Sequence, residues 1–482
     1  MIEVARASAA MSRGHPAPLA RLLTHAGTLP WTTRSWWLAA AATAAASTLV
    51  ALSSGSSLIV AIALGLAGSA ALAVLPFRWI VIALILASGL TRVVIPVSGV
   101  NLRPDIVLVP AALISCGLSG RLGEFFRWAR HPAIVLLGLF VALQYGVSAV
   151  ASPNPGKSFG VASWLLLNLL IVVLSLACFG DDRRALLRWL TITALIVVTS
   201  GYAGWVMASF FSISWGAGSD SSGLRAAGVA FEPNILAGTA AMWAVIILTS
   251  AQRLRGFQYA FLLLCLLTIP LSDTRAAAIA VAAGLAVYVV MRPQRVSRIA
   301  LVGLVSMAAF AAVQATAPSQ SASLSQKLLN YGDQTAAQRF SSWSLAVSDM
   351  NGASWLFGLG TNSYGQRHLE PTLLPAQVPA YLGNLPLQAL YDSGLLGLGL
   401  LAASASMLIA NGDRRRRSAL IVTFLAISSA TSPFFFSNWW LLVALALSRS
   451  ARPVDPLQGG QASDPLSAQR TLEPRPVSLR AH

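Results

Sequence analysis

The sequence predicts an all-α integral membrane protein: a polytopic bundle of about 12–14 transmembrane helices with one large outer loop containing short helices. Three observations predict this. First, the chain is 56% hydrophobic and only 10% charged, whereas a soluble domain carries roughly 25% charged residues. It has too few charges to cover a water-facing surface. Second, apolar runs of about 18 or more residues, the length that crosses a hydrocarbon core, recur from Trp37 to Ser448. Third, the basic residues are spread unevenly over alternate loops.

That unevenness explains the net charge of +17 without nucleic acid. One side of the bundle collects Arg6, Arg13, Arg21 and Arg34, then Arg78, then Arg121, Arg127 and Arg130, then Arg183, Arg184 and Arg188. It also takes Arg253, Arg255, Arg292, Arg295, Arg298, Arg414 to Arg417 and the arginines after Ser448. Such a bias marks the cytoplasmic side, so both termini are expected there.

The expected spans are about 36–53, 58–75, 79–97, 105–118, 133–151, 160–179, 187–211, 228–250, 257–271, 275–291, 299–316, 385–410, 418–432 and 434–449. The last two are short, with Thr431-Ser432-Pro433 as the turn between them. Joined as one helix they would move the C-terminus outside. Residues 1–34 form a cytoplasmic tail without a cleavable signal pattern, 35–449 the membrane domain, and 450–482 a disordered cytoplasmic tail rich in Pro, Gln and Arg. Cys116, Cys178 and Cys265 all lie in apolar segments and read as inert packing. There is no internal repeat and no inverted pair of broken helices. Apart from Asp392, the spans carry no mid-membrane Arg or Asp.

Two outer segments stand out. One is the Gly- and Ser-rich loop Ser212 to Ala227; the other is the long polar insertion of about 317–384. Within the second, Gln326 onward and Ala336 to Met350 have the periodicity of amphipathic helix near the membrane surface. A loop of that length between short-looped helices is functional or disordered, and its aromatic residues favour order. Trp205, Trp215 and Trp343 face this side and read as interfacial anchors.

Four local patterns carry the remaining polar character. They are Leu224-Arg225 through Glu232-Pro233-Asn234, entering a helix; Ser272-Asp273-Thr274-Arg275, starting another; Arg339 to Trp343 followed by Gly358-Leu-Gly360-Thr-Asn-Ser-Tyr364; and Gly383-Asn384 through Asp392-Ser-Gly394 to Gly397. In this order, over about Arg225 to Gly397, they resemble the O-antigen ligase and O-antigen polymerase superfamily of bacterial envelope glycosyltransferases. The members of that superfamily carry an Arg before a Gly…Pro-Asn helix entry and a Ser-x-Ser-Arg-like helix start. They follow these with a long outer loop with Arg…Trp…Gly-x-Gly, then His-Asn-x-x-Leu-x-x-Leu-x-Glu-x-Gly.

The resemblance implies transfer of a glycan from a polyprenyl-diphosphate carrier to a hydroxyl acceptor, outside the bacterial cytoplasmic membrane and with no cofactor. A departing diphosphate builds negative charge, and guanidinium is permanently charged and forks onto phosphate oxygens. Arg225, Arg275 and Arg339 are the cations expected to hold it. No Asp-x-Asp occurs on the outer side, so no metal is expected. The superfamily's His-Asn is Gly383-Asn384 here, which removes the expected imidazole. Two replacements for the base are open: His368, the outer loop's histidine, near Glu370, and Asp392, which stands where the superfamily often has Glu, two positions before Gly394. Glu232, Asn234, Asn384 and Asp392 are the candidate substrate-binding residues, with Glu232 a possible partner of Arg225 or Arg275. The partners expected are the lipid-linked donor, a glycan or glycolipid acceptor and the bilayer. The alternatives are a lipid-linked oligosaccharide flippase or other transporter, and a non-catalytic assembly scaffold.

Overall fold

The structure, a computed structural model, describes residues 57–291, 334–368 and 382–449, apart from short breaks at 94, 98–99, 221–222, 231, 251–255, 411–412, 430 and 432–435. The expected spans at 36–53 and 299–316, the two tails, the start of the outer loop at 317–333 and Glu370 lie outside the described residues.

The chain is helical nearly throughout. In order come α1 (Ser57–Leu72), α2 (Phe77–Ser88), the hairpin β1 (Ile95–Val97) and β2 (Val100–Leu102), α3 (Pro104–Leu118), α4 (Leu122–Ala129), α5 (Pro132–Ala151), α6 (Pro155–Phe179) and α7 (Arg183–Phe211). A second hairpin follows, β3 (Ala217–Asp220) and β4 (Gly223–Ala226), then α8 (Pro233–Ser250), α9 (Gly256–Leu271) and α10 (Arg275–Val290). The outer segment holds α11 (Gln334–Asp349), α12 (Ser354–Phe357) and α13 (Ser363–His368). The chain then re-enters the bundle as α14 (Leu385–Ala410), α15 (Arg414–Ile427) and α16 (Ser437–Leu447).

Among the described residues, α5, α6, α7 and α14 are long and apolar enough to cross a membrane, and the pair α3–α4, bent by 118°, makes a fifth if it counts as one broken span. α2, α9, α10 and α16 are apolar but shorter, as is Pro233–Thr249 of α8. Large apolar side chains face outward along these helices, among them Leu139, Val150, Phe210, Tyr259 and Val290. In water such a surface would drive association; against acyl chains it is the solvated state. The protein is an all-α polytopic membrane protein.

Local chemistry sets the helix ends. Pro104, Pro132, Pro155 and Pro233 occupy first turns, where a missing N–H costs nothing. Asn154 caps α6 by accepting from the Lys157 N–H at 3.1 Å, and Asp182 caps α7 by accepting from Ala185 at 3.0 Å. Where α10 runs along α15, Gly284 meets Ala419 and Thr423, and Ala277 and Ala280 of the same helix are fully buried. Such a seam of small residues draws two backbones together where no hydrophobic drive exists between helices in lipid.

One expected span needs correction. The span expected at 79–97 ends at Ser88, and the chain leaves the helix through Gly89 into the β1–β2 hairpin. The Arg92 N–H donates to the Val229 carbonyl at 2.9 Å, which takes that segment out of helical pairing. The two short spans expected at the end stand as separate helices, α15 and α16, in agreement with the expectation. A second buried acid, Asp105, stands in the first turn of α3, at the end of its span. Asp105, 1% exposed, pairs with Arg103 at 2.5 Å and accepts from Ser437 Oγ at 3.0 Å, with Arg103 packed 4.8 Å over Trp164. The pairing and hydrogen bonding let these charges leave water. Finally, one long helix is broken: Gly394 in α14 has φ 66° and ψ −168°.

The ends of the bundle differ sharply. At one end Arg78 sits over Phe179, Arg121 over Phe77 and Arg449 over Trp128, and Arg127 pairs with Asp181 at 2.8 Å and with Glu124. The Arg449 N–H donates to the Gly180 carbonyl at 2.7 Å. Among the described residues these basic loops gather at one end, while the described parts of the outer segment and of the four motifs gather at the other.

Candidate active site

The first assembly at the motif-bearing end joins the first two motifs. The β3–β4 hairpin pairs Gly218 with Arg225, and its base is fastened to α7 by the Val229 N–H donating to Ser200 Oγ at 3.0 Å. This presents Arg225 to the α9–α10 turn. Arg225 Nε donates to the Ser272 carbonyl at 2.9 Å; its Nη2 donates to Asn234 Oδ1 at 3.3 Å and to the Asp273 carbonyl at 3.4 Å. The Thr274 hydroxyl also donates to Asn234 Oδ1, at 3.3 Å. One guanidinium therefore ties the hairpin, the start of α8 and the α9–α10 turn together. Asp273 adopts a left-handed conformation (φ 48°), which turns the chain sharply into α10 and sets Arg275 at the first helical position. Glu232, just before α8, accepts a hydrogen bond from the Thr431 hydroxyl at 3.0 Å. The sequence left Arg225 and Arg275 as its possible partners.

The second assembly joins the third and fourth motifs through the break in α14. At Gly394 the helix loses its regular pairing, and two carbonyls upstream are taken by the outer segment: the Leu359 N–H donates to Tyr391 at 2.8 Å and the Gly360 N–H to Asp392 at 3.0 Å. Gly358 and Gly394 make this junction possible. Both have positive φ, 84° and 66°, and a Cβ at either would collide with backbone of the other segment, at Asp392–Ser393 or at Leu356–Phe357. Below the junction, the Thr361 N–H donates to Ser148 Oγ at 2.9 Å and its hydroxyl to Gln144 Oε1 at 2.5 Å, both on α5. The Gly-Leu-Gly-Thr motif is a plug seated on a broken membrane helix.

On this junction stands a group of titratable side chains. His368 Nε2 lies 2.5 Å from Asp349 Oδ2, and the Tyr391 hydroxyl donates to the same oxygen at 2.6 Å. The Tyr364 ring lies 5.0 Å from the imidazole and edge-on to Tyr391 at 5.7 Å. Burial alone would raise the Asp349 carboxyl, but hydrogen bonds from His368 and Tyr391, with the charges of His368 and Arg367, hold it below the usual carboxylate range. The short contact turns His368 Nε2 to the carboxylate and leaves Nδ1 as the ring's other nitrogen; an acid that orients an imidazole in this way is a pattern found where an imidazole serves as a base.

The remaining predicted residues play quieter parts. Asn384 Oδ1 accepts from the Leu387 N–H at 3.1 Å, capping α14. Asp392 is 2% exposed, and its Oδ2 accepts from Gln388 Nε2 at 2.7 Å; the Gln388 carbonyl oxygen in turn accepts from the Leu382 N–H at 2.8 Å. Arg339 lies half-buried on α11, whose Trp343 Nε1 donates to the Leu382 carbonyl at 3.0 Å. Trp343 thus anchors α11 to the α14 entry. Sequence reasoning missed Asp349, Tyr391 and Gln388. Asp349 closes the amphipathic stretch, and the acid at the end of that helix was the available signal. Its partners lie 19 and 42 residues away.

The sequence profile of the O-antigen ligase family matches residues 260–402. This stretch is similar to the O-antigen ligase domain. It runs from within α9 through α14 and holds Arg275, Arg339, Asp349, His368, Asn384, Asp392 and both glycines of the junction. Arg225 and Asn234 fall before the matched stretch, and the Arg225 guanidinium reaches into it at Ser272 and Asp273. No curated protein matches the chain. The domain supports a glycan-transfer role in a membrane setting.

Proposed function

We propose that the protein transfers a glycan from a polyprenyl-diphosphate-linked donor to a hydroxyl of a glycan or glycolipid acceptor, at the outer face of the bacterial cytoplasmic membrane. It acts as a surface-polysaccharide polymerase or an O-antigen-ligase-like enzyme, without metal and with inversion. The observation that carries this reading is the Asp349–His368 pair. It supplies an oriented imidazole in a chain that has Gly383 where the superfamily has histidine.

In this reading the acceptor oxygen attacks the anomeric carbon of the donor, and its proton passes to His368 Nδ1. The bond from that carbon to the phosphate oxygen breaks, and its electron pair leaves with the diphosphate. Attack opposite the leaving group inverts the centre. Arg225, Arg275 and Arg339 carry the fixed positive charge that matches the departing diphosphate, and such preorganised charge lowers the barrier where charge develops. Arg225 is already held by neutral carbonyl and amide oxygens, so little reorganisation accompanies the reaction. Asn234 shares its oxygen between Arg225 and Thr274 and serves the donor side. Glu232, Asn384 and Asp392 act on substrate through the helix entries they hold.

The test uses the full chain in lipid nanodiscs with a polyprenyl-diphosphate-linked oligosaccharide, candidate acceptors and a chelator, with products followed by mass. The expected result is glycan transfer with release of polyprenyl diphosphate, lost in Arg225→Ala. Product length separates polymerase from ligase. Donor movement across liposomes without any transfer would replace this reading with the flippase.

A further inference from the structure

The basic end of the bundle contains a groove that the glycan-transfer reading does not use. It lies between the start of α2 and the start of α7, open to the outside, with a volume of about 560 Å³. Three guanidiniums line it: Arg78 from α2, and Arg184 and Arg188 from one face of the first turns of α7. Arg184 and Arg188 are spaced i, i+4, a like-charge pair that opposes its own helix unless an anion sits between. Among the described residues no carboxylate forms an ion pair with any of the three. The one acid on the lining, Asp182, already accepts the Ala185 N–H as the cap of α7. The positive end of the α7 dipole points the same way.

The rest of the lining is apolar. Trp79 stands exposed at one edge, Trp189 lies half-buried at the other, and Ile82 is buried beneath. Tryptophan pairs of this kind sit at headgroup depth, and a basic pocket between membrane helices with such a rim suits a phosphate carried on an acyl chain. We infer that this groove binds the headgroup of an anionic phospholipid, the phosphate held by Arg78, Arg184 and Arg188 and the glycerol and upper acyl segments lying against Trp79 and Trp189.

The full-length protein, purified in mild detergent, would be titrated with phosphatidylglycerol and with phosphatidylcholine. Native mass spectrometry would count bound lipid, and thermal unfolding would report stabilisation. The expected result is preferential retention of phosphatidylglycerol, weakened about twentyfold by Arg184→Gln/Arg188→Gln and about fivefold by Arg78→Gln alone, on the usual worth of each cation near an anionic headgroup. The single variant keeps the test valid if the double variant misfolds. Arg414→Gln/Arg415→Gln removes equal charge from another loop at the same end and should leave retention unchanged. Equal loss in that control would reduce the effect to diffuse attraction and overturn the site. So would indifference to the headgroup in the wild type. Inorganic phosphate that displaces the lipid and stabilises the protein as well would make the groove a bare anion site, also against the inference.

Discussion

The two assemblies at the motif-bearing end are built from different materials. Around Arg225 the partners are carbonyl and amide oxygens, held by the ends of a hairpin and two helices. Around Asp349 the partners are the His368 imidazole and the Tyr391 hydroxyl, from α13 and α14, with the Tyr364 ring packed on both. In the proposed reaction the first would hold a negative charge and the second would take a proton. A reaction that expels a diphosphate while deprotonating a hydroxyl needs both. Keeping them on separate elements lets each be tuned without disturbing the other.

The comparison can be broken most forcefully at the junction. Gly358→Val places a β-branched side chain at φ 84° against the Asp392–Ser393 backbone, and strain plus overpacking together cost about 3 kcal/mol or more. Limited proteolysis should then cut within 350–368, transfer should be abolished, and the α7–α10 region around Arg225 should keep its protection. Cleavage at both assemblies would mean they are one unit. The next effect in size is at the fixed charge. Arg225→Ala should lower kcat by roughly 10²–10³, as loss of one preorganised donor does, with Arg225→Lys only partly restoring it because ammonium cannot fork. A variant at wild-type rate would remove Arg225 from the reaction.

At the imidazole assembly, His368→Gln should lower kcat by about 10²–10³ with KM for the donor little changed. A variant at wild-type rate would remove His368 from the reaction. Asp349→Asn sharpens the distinction through stability. Because the folded carboxyl lies below its ordinary value, its contribution is complete above about pH 4, the unfolded range, and is lost as pH falls through the lower folded value. The variant should therefore unfold at lower temperature than wild type at neutral pH, with the gap closing in acid; a pH-independent gap would contradict the ionised pair. Smallest of all, Tyr391→Phe removes one hydrogen bond from Asp349 and keeps the ring, an effect of about 1 kcal/mol measurable by thermal melting.

Much of this was legible in the sequence, and the reasons for the rest are physical. The helices α5, α6, α7, α9 and α10 fall close to the runs expected for them, because continuous apolar sequence leaves the backbone no partner but itself. The span expected at 79–97 failed for the converse reason: Gly89 and Pro96 interrupt a run that hydropathy alone reads as continuous. The cluster of Arg225 with Ser272–Thr274 was half legible, since both motifs were singled out although nothing in their spacing of 47 residues joins them. Asp349 with Tyr391 was not legible, because a pairing across 42 residues is made by the fold and leaves no periodic trace. Gly358-Leu-Gly360 carried no meaning alone and acquired it only beside the break at Gly394.

That break has a mechanical consequence. The first turns of α14, before Gly394, are hydrogen-bonded to the outer segment, while the turns after it lie among α5 and the lipid-facing surface. The helix is in effect a lever with its fulcrum at Gly394, one arm bearing the Tyr391 that grips Asp349 and the other set in the bilayer. A tilt of the long arm about Gly394 would be felt first at Tyr391 and, through its hydroxyl, at Asp349.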